Sequence, residues 1–236
     1  MALPWKTIDA FTTADEGTLE LRQRDARDFI ITLGPQVLMN SKAQRSEIAL
    51  GRLGCGGLKK ASKPHVLVGG LGMGFTLRAI LEALPADARV VVAELNPRIV
   101  AWCRGPLSVL TDGAVFDPRV SVEIGDVASL IRRYAGGGAS GGFDAIILDL
   151  YRGPHPRCDK RCDPIYGSLA IERTRKALKP GGCFAVWGEN NDAQFLKRLA
   201  AGGFSARCER PGKGGYRHAV FLGRAEKGDR TGCSSR

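Results

Sequence analysis

Short apolar segments alternate with amphipathic segments from Pro64 onward, and this alternation limits the fold more than any other feature of the chain. Between the first two apolar segments, Leu77, Ile80, Leu81 and Leu84 repeat at the spacing of one helix face. Strands that alternate with helices pack as a mostly parallel sheet with helices on both faces. The sequence therefore predicts a doubly wound α/β fold, whose first four strands are expected at residues 66–68, 90–93, 120–124 and 145–148.

The alternation continues towards the C-terminus. Further helical stripes run through Ile99, Cys103, Leu107 and Leu110, and through Val127, Leu130, Ile131 and Tyr134. A helix over 166–178 is expected to stop at the Lys-Pro-Gly-Gly segment 179–182, because Pro and Gly end helices. We then expect a strand over 183–187, a helix over 193–201 and a closing pair of strands at 204–208 and 218–222.

Residues 1–60 have a different pattern. The β-prone segments 18–21 and 29–33 flank a polar stretch, which predicts a hairpin, and a helix over 46–53 follows with Ser46 as its cap. We therefore divide the chain into a small N-terminal β-hairpin domain with a linking helix (1–60), a cofactor-binding domain (61–225) and a tail (226–236). The tail lacks apolar residues to bury and is predicted to be disordered.

Composition excludes several classes of protein. No apolar run approaches the roughly 20 residues that span a bilayer, and the N-terminus lacks the continuous apolar stretch of a signal peptide, so a cytoplasmic protein is expected. The formal net charge is +11, but the basic residues are dispersed, which indicates a solvated surface more than a nucleic-acid interface. Cys158 and Cys162 lie near His155, yet their spacing is not that of a zinc site, and we predict no metal.

A glycine-rich loop follows the first strand of the alternating region. It contains Gly70, Gly72 and Gly74 directly before the first predicted helix, where a sharp turn must let a ligand approach bare backbone. Glu94 follows at the end of the next strand, where a carboxylate accepts hydrogen bonds from ribose hydroxyls. A turn that only serves helix packing, with Glu94 merely exposed, is the alternative. The combination predicts a nucleoside site.

Two more acids end strands. Asp126 follows the third strand and Asp149 the fourth, so both are expected to converge with Glu94 at the carboxyl edge of the sheet. Each acid alone could simply cap a helix. A dinucleotide dehydrogenase also uses this geometry, but anionic phosphates gain little from a carboxylate-rich crevice, whereas a cationic sulfonium gains more.

In this order, the motifs resemble those of the spermidine synthase family, within the class I S-adenosylmethionine-dependent methyltransferase-like (Rossmann-like) superfamily. The segments are VLVGGLGMGFTLR at 66–78, ELN at 94–96, DPRV at 117–120, GD at 125–126, FDAIILD at 143–149, LKPGG at 178–182 and GE at 188–189. Residues 38–41 together with Glu47 resemble the segment that precedes the sheet in that family.

The resemblance implies residue roles. Glu94 would hold the ribose, Asp126 the adenine amine and Asp149 the reacting amine. Leu95 and Val127 would line the cofactor site next to the two acids. Tyr151 would help to line the reacting centre, and Glu47 and Arg152 would face the substrate. The resemblance also implies a seven-stranded sheet, a homodimer, a small-molecule amine acceptor, and S-adenosylmethionine or its decarboxylated form as cofactor.

Four positions depart from the family pattern, and each change removes a group expected to hold a cationic amine. Met73 stands where the glycine loop carries an Asp, and Asn96 ends the acid-x-Asp motif. The segment after Asp149 is short, with Arg152 in place of a second acid, and the run before the sheet reads Arg-Ser-Glu at 45–47.

Three functions remain open from the sequence. The first is an aminopropyltransferase, in which Asp149 orients the amine, because an ordinary Asp is a poor base for an amine with a pKa near 10. The second is a methyltransferase that uses S-adenosylmethionine itself, which Met73 and Arg152 favour. The third is a non-catalytic protein that binds nucleosides or nucleic acid. The spermidine-synthase-like transferase is the reading that we take forward.

Overall fold

In the computed structural model, the chain is described over residues 3–13, 17–137, 142–156, 161–212 and 218–226. The N-terminal part is an antiparallel sheet of four strands in sequence order. The predicted hairpin forms its centre, and one strand adds to each side of it. The strands are β1 (Lys6–Thr13), β2 (Gly17–Asp25), β3 (Asp28–Leu33) and β4 (Gln36–Asn40).

The remaining strands form one seven-stranded sheet, in the order β10-β11-β9-β8-β5-β6-β7. Only the pairs that involve β11 are antiparallel. The strands are β5 (His65–Gly69), β6 (Arg89–Glu94), β7 (Val120–Ile124), β8 (Phe143–Leu148), β9 (Leu178–Gly188), β10 (Phe204–Glu209) and β11 (Ala219–Ala225). The helices are α1 (Arg45–Gly54), α2 (Phe75–Ala83), α3 (Pro97–Arg104), α4 (Val127–Ala135), α5 (Ser168–Ala177) and α6 (Ala193–Ala201).

The strand order reverses at β5. The chain moves from β5 to β6 and β7 on one side, and then crosses to β8 and β9 on the other. In open α/β sheets, ligands bind outside the carboxyl ends of the strands at such a reversal. The predicted doubly wound fold is therefore present, and its reversal lies where the glycine loop begins.

The N-terminal sheet shares a core with one face of the large sheet. Leu21 and Ile31 of the small sheet are fully buried in the same cluster as Val66 and Val68 of β5. Helix α1 packs closely on α2, because a Cβ atom at Gly51 would lie 2.8 Å from the carbonyl oxygen of Thr76. Only glycine allows this approach, which brings the second turn of α1 against the first turn of α2.

Three details of the predicted elements were wrong. Helix α1 begins at Arg45 after Gln44, and Ser46 is not its cap, because its hydroxyl donates instead to the Glu47 carboxylate. Helix α3 ends at Arg104, so Leu107 and Leu110 are buried in a following turn region and not on a helix face. The segment 179–182 lies inside β9, because α5 already ends at Ala177.

Some expectations fall on residues outside the described ranges. These include nearly all of the tail, residues 227–236, and Cys158. The division of the chain near residue 60 stays a prediction, since α1 packs against elements of the large sheet. In the described part of the chain, no helix is both long and apolar enough to cross a membrane.

Candidate functional site

The glycine loop joins β5 to α2 with a backbone that other residues rarely adopt. Gly70, Gly72 and Gly74 have φ angles of 86°, 53° and 84°. A Cβ atom at Gly70 would lie 2.2 Å from the backbone oxygen of Asp149, an impossible contact. Glycine is thus required for both its left-handed conformation and its close approach to the end of β8. Because these three positions have no side chains, a ligand can approach the backbone of the loop directly.

Glu94 holds the loops of two neighbouring strands together. Its side chain is buried, one carboxylate oxygen accepts the backbone N–H of Leu71 at 2.8 Å, and the other accepts that of Asn96 at 2.8 Å. The interpretation of Glu94 as merely exposed is therefore wrong. Each carboxylate oxygen has a second lone pair, so a ribose hydroxyl can still donate to it.

Exposed apolar side chains lie next to Glu94. Leu95 is 72% exposed, and Ile124, which pairs with Glu94 in the sheet register, is 55% exposed. Sequence reasoning included Leu95 but missed Ile124, because alternation along β7 predicted only a strand residue. Val127, which was also expected to line the cofactor site, is buried. It packs beneath the loop against the position that a Gly69 Cβ would take.

Asp126 caps helix α4. One carboxylate oxygen accepts the backbone N–H of Ala128 at 3.0 Å, and the other accepts the backbone N–H and the hydroxyl of Ser129 at 3.1 and 2.9 Å. The capping role that sequence reasoning offered as the alternative is present. It does not exclude contact with a ligand, since the side chain remains partly exposed at the carboxyl edge of the sheet.

Asp149 meets residues from two helices at the end of β8. The hydroxyl of Thr76, in the first turn of α2, donates to the Asp149 carboxylate at 2.5 Å. The same hydroxyl lies 3.2 Å from the backbone oxygen of Glu47 in the first turn of α1. The close packing of α1 on α2 therefore positions the Asp149 carboxyl through Thr76, which sequence reasoning missed. A hydroxyl residue in the first turn after the glycine loop was the available signal.

Burial and the negative charge of Glu47 raise the pKa of Asp149 to about 7, although the hydrogen bond from Thr76 acts in the opposite direction. Desolvation is the larger cause, because it disfavours the charged form of a carboxyl. The sequence alone gave no reason to expect this shift. At neutral pH, burial therefore favours the protonated form of Asp149 far more than it would for an ordinary aspartate.

A small pocket opens beside these carboxylates. Its volume is about 60 Å³. A nucleoside does not fit inside it, but a narrow group such as an alkyl amine does. Of the predicted site residues, the pocket brings together Glu47, Gly72, Asp149 and Tyr151. Most of the other lining residues, which were not predicted as site residues, are apolar, namely Leu38, Met39, Leu71, Phe75, Leu150 and Trp187, and Asn40 adds a polar amide.

Arg152 does not line the pocket. Its side chain is exposed, and its guanidinium lies 5.7 Å from the ring centre of Tyr151. The hydroxyl of Tyr166 donates to the backbone oxygen of Arg152 at 2.7 Å and ties this segment to the residues before α5. Met73, another of the four departures from the family pattern, is buried and lines the pocket.

Within the described ranges, no three His, Cys, Asp or Glu side chains come close enough together to hold a metal ion. Cys162 is exposed. His155 lies in the segment after Arg152.

Relatives of known type match part of the chain. The model of the spermine/spermidine synthase domain matches residues 53–199. A polyamine aminopropyltransferase of Mycobacterium tuberculosis is 35% identical over 121 residues, which are 51% of this chain and 22% of that protein. A polyamine aminopropyltransferase of Nitrosomonas europaea is 33% identical over 122 residues, which are 52% of this chain and 34% of that protein. The chain thus spans well under half the length of these curated relatives.

Solved structures extend the likeness to nearly the whole fold. A spermidine synthase from Thermotoga maritima superposes with a TM-score of 0.71 at 16% identity, covering 94% of this chain and 73% of that chain. A spermidine synthase in complex with the transition-state analogue AdoDATO gives a TM-score of 0.69 at 15% identity with the same coverage. The predicted class I methyltransferase-like fold with an N-terminal antiparallel sheet is confirmed. Because the family model covers more than half of the chain, the chain belongs to the spermine/spermidine synthase family.

Proposed function

We propose that this protein transfers an aminopropyl group from decarboxylated S-adenosylmethionine to a small-molecule amine. The observation that carries the proposal is Asp149, a carboxyl with a pKa of about 7 beside a narrow pocket at the reversal of strand order. Perturbed carboxyls in such crevices are frequent catalytic groups. Membership of the family, which uses decarboxylated S-adenosylmethionine, supports the same reaction.

The residues at the carboxyl edge fit the nucleoside part of that substrate. The backbone of the glycine loop lets an adenosine approach closely, and Glu94 would accept hydrogen bonds from the ribose hydroxyls. The exposed side chains of Leu95 and Ile124 offer an apolar surface for the adenine ring. Asp126 would accept a hydrogen bond from the adenine amine while it caps α4.

Asp149 would act as the base at the reacting centre. At pH 7, an amine with a pKa near 10 must lose a proton at a cost of about 4 kcal/mol. A carboxylate whose pKa is about 7 accepts that proton far better than an ordinary Asp. Asp149 would therefore orient the amine, as the sequence led us to expect, and would also accept its proton. The substrate supplies a sulfonium, so that the new C–N bond forms as the C–S bond breaks and sulfur leaves as a neutral thioether.

The pocket favours the decarboxylated substrate over S-adenosylmethionine itself. None of the described residues that line it is Lys, Arg or His, and it contains the carboxyls of Glu47 and Asp149. A substrate carboxylate would therefore meet two acids and no cation, whereas an ammonium would meet opposite charge. The methyltransferase alternative depended on Met73 and Arg152. Met73 lines the pocket but brings no positive charge, and the exposed Arg152 does not line it.

The test is mass spectrometry of the nucleoside product, with each form of the cofactor in turn and a pool of amines. We expect methylthioadenosine from the decarboxylated form. Asp149→Asn should reduce turnover by at least about 100-fold with little change in nucleoside binding. Asp112→Asn, at an exposed residue paired with Arg78, is the matched control. Acceptor-dependent S-adenosylhomocysteine as the sole product would contradict the proposal, and neither product would favour the non-catalytic alternative.

The family resemblance further supports a homodimer in the cytoplasm, which we propose as the working state of the protein. Sedimentation velocity of the purified chain would test the dimer, for which a single species of twice the monomer mass is expected.

A further inference from the structure

The thiol of Cys103, on helix α3, reaches the glycine loop from the protein interior. The side chain is buried, and its sulfur lies 3.2 Å from the backbone oxygen of Gly72, to which it donates. Burial, together with the negative charge of Glu94, raises the pKa of this thiol to about 12. The thiol therefore keeps its proton at neutral pH and is a permanent, uncharged donor behind the loop.

The backbone N–H groups of the glycine loop fall into two sets. Three of them have acceptors in the protein, namely those of Gly70, Leu71 and Gly74. In the part of the chain that the structure describes, no acceptor takes the N–H groups of Gly72 and Met73. Both residues line the pocket beside Asp149. Backbone N–H groups that no protein atom satisfies bind water or a ligand.

The contact with Cys103 determines how the peptide between these two residues is oriented. This peptide is trans, so its N–H points opposite to its C=O. Because the Gly72 oxygen points at the buried thiol, the Met73 N–H points away from it. Gly72 has a left-handed φ of 53° and no side chain, so its own conformation permits other orientations of this peptide. The thiol selects one of them.

We propose that Cys103 is a positioning residue of the nucleoside site. Its thiol holds the Gly72–Met73 peptide in the orientation that presents the Met73 N–H to a ligand, before the ligand arrives. A preorganised loop binds more tightly, because less of the interaction free energy is spent on ordering it. The inference rests on the nucleoside site of the proposed function, but not on the transfer reaction.

Calorimetry with methylthioadenosine on two variants of Cys103 tests this inference without turnover. Cys103→Ala removes the donor and should weaken binding by about 3- to 10-fold, which corresponds to the loss of one hydrogen bond. Cys103→Ser retains a donor and should recover most of the lost affinity. A side chain that served only to fill space would show no such recovery.

Cys183→Ala is the matched control. Cys183 in β9 is also a buried cysteine of the core, and its thiol does not contact the glycine loop. Both alanine variants should lose stability in urea unfolding, but only Cys103→Ala should lose affinity. Unchanged affinity in Cys103→Ala, or an equal loss in Cys183→Ala, would overturn the inference. If Cys103→Ala does not fold, Cys103→Val, which fills the space without a donor, takes its place.

The inference and the proposed function can fail separately. Weaker binding in Cys103→Ala, with no methylthioadenosine formed by the wild-type protein from the decarboxylated cofactor, would contradict the proposed function and support the role of Cys103. No binding of methylthioadenosine to the wild-type protein would contradict the nucleoside site and this inference together.

Discussion

The Thr76 hydroxyl lies 2.5 Å from the Asp149 carboxylate and 3.2 Å from the backbone oxygen of Glu47, although it has a single proton to donate. When Asp149 is charged, Thr76 can satisfy only one of these acceptors at a time. The charged carboxylate is the stronger acceptor, so the hydrogen bond from Thr76 stabilises the ionised form of Asp149 and acts against the effect of burial.

The first prediction concerns Thr76 as a positioning residue. Thr76→Val keeps the shape and removes the donor that lowers the pKa of Asp149, so that pKa should rise further. The acidic limb of the pH profile of kcat/KM should move up by about one pH unit, the equivalent of one net hydrogen bond. Thr174→Val removes a buried hydroxyl that donates to Ala170 in α5 and should leave the profile unchanged. An unchanged pH profile in Thr76→Val would mean that Thr76 does not influence the pKa of Asp149.

The second prediction concerns stability and pH. The pKa of Asp149 is raised on folding, from 3.8 to about 7. Between these values the folded protein holds a proton that the unfolded chain has released, so the contribution of Asp149 to stability falls as pH rises. Asp149→Asn removes this dependence. The difference in unfolding free energy, variant minus wild type, should increase by about 2–3 kcal/mol from pH 5 to pH 8, because only the wild type loses stability over this range through Asp149. Urea unfolding at both pH values measures it, and a constant difference would contradict the raised pKa.

Much of the fold could be predicted because burial imposes it. The central strand β8 is buried on both faces and reads as a continuous apolar run. Strand β1 could not be found in this way, because its side chains are almost all exposed and show no apolar alternation. It is an edge strand, and Asp9 fixes it by accepting a hydrogen bond from the Trp102 indole at 2.7 Å. Such a contact between residues far apart in sequence leaves no local pattern.

The candidate site, like the fold, could be predicted from the sequence only in part. The glycine loop, Glu94 and Asp149 could be predicted, because a strand end in this fold gives them a fixed location. Their environments could not. The shift in the pKa of Asp149 depends on the contact of α1 with α2, and the apolar walls of the pocket come from β4, the glycine loop and β9. Tertiary packing sets these properties, and no spacing in the sequence records it.

The third prediction concerns Glu94. Glu94→Gln keeps the volume, but its amide can accept only through one oxygen, so either Leu71 or Asn96 loses the acceptor for its backbone N–H. Affinity for methylthioadenosine should fall by about 1–3 kcal/mol, together with a loss of stability of similar size. Glu123→Gln, at an exposed residue paired with Arg133, serves as the control for loss of charge. Unchanged affinity by calorimetry would remove Glu94 from the nucleoside site.

The last prediction separates the two roles of Asp126, as the cap of α4 and as a ligand of the adenine amine. Asp126→Ala removes the side-chain acceptor of the Ala128 and Ser129 N–H groups, and should destabilise the protein by about 1 kcal/mol. Asp126→Ser retains a capping oxygen and should keep most of that stability, because Ser and Asp cap helices about equally well.

Binding distinguishes the roles. The serine side chain is shorter than the aspartate side chain and carries no charge, so it cannot replace the carboxylate as the acceptor for the adenine amine. If Asp126 holds that amine, both variants should therefore lose affinity for methylthioadenosine, by about 1.5–3 kcal/mol for a charged acceptor. Urea unfolding and calorimetry on the same two variants give the comparison. Weaker binding in Asp126→Ser at near-normal stability would establish the ligand role, whereas normal binding in both variants would leave Asp126 as a helix cap alone.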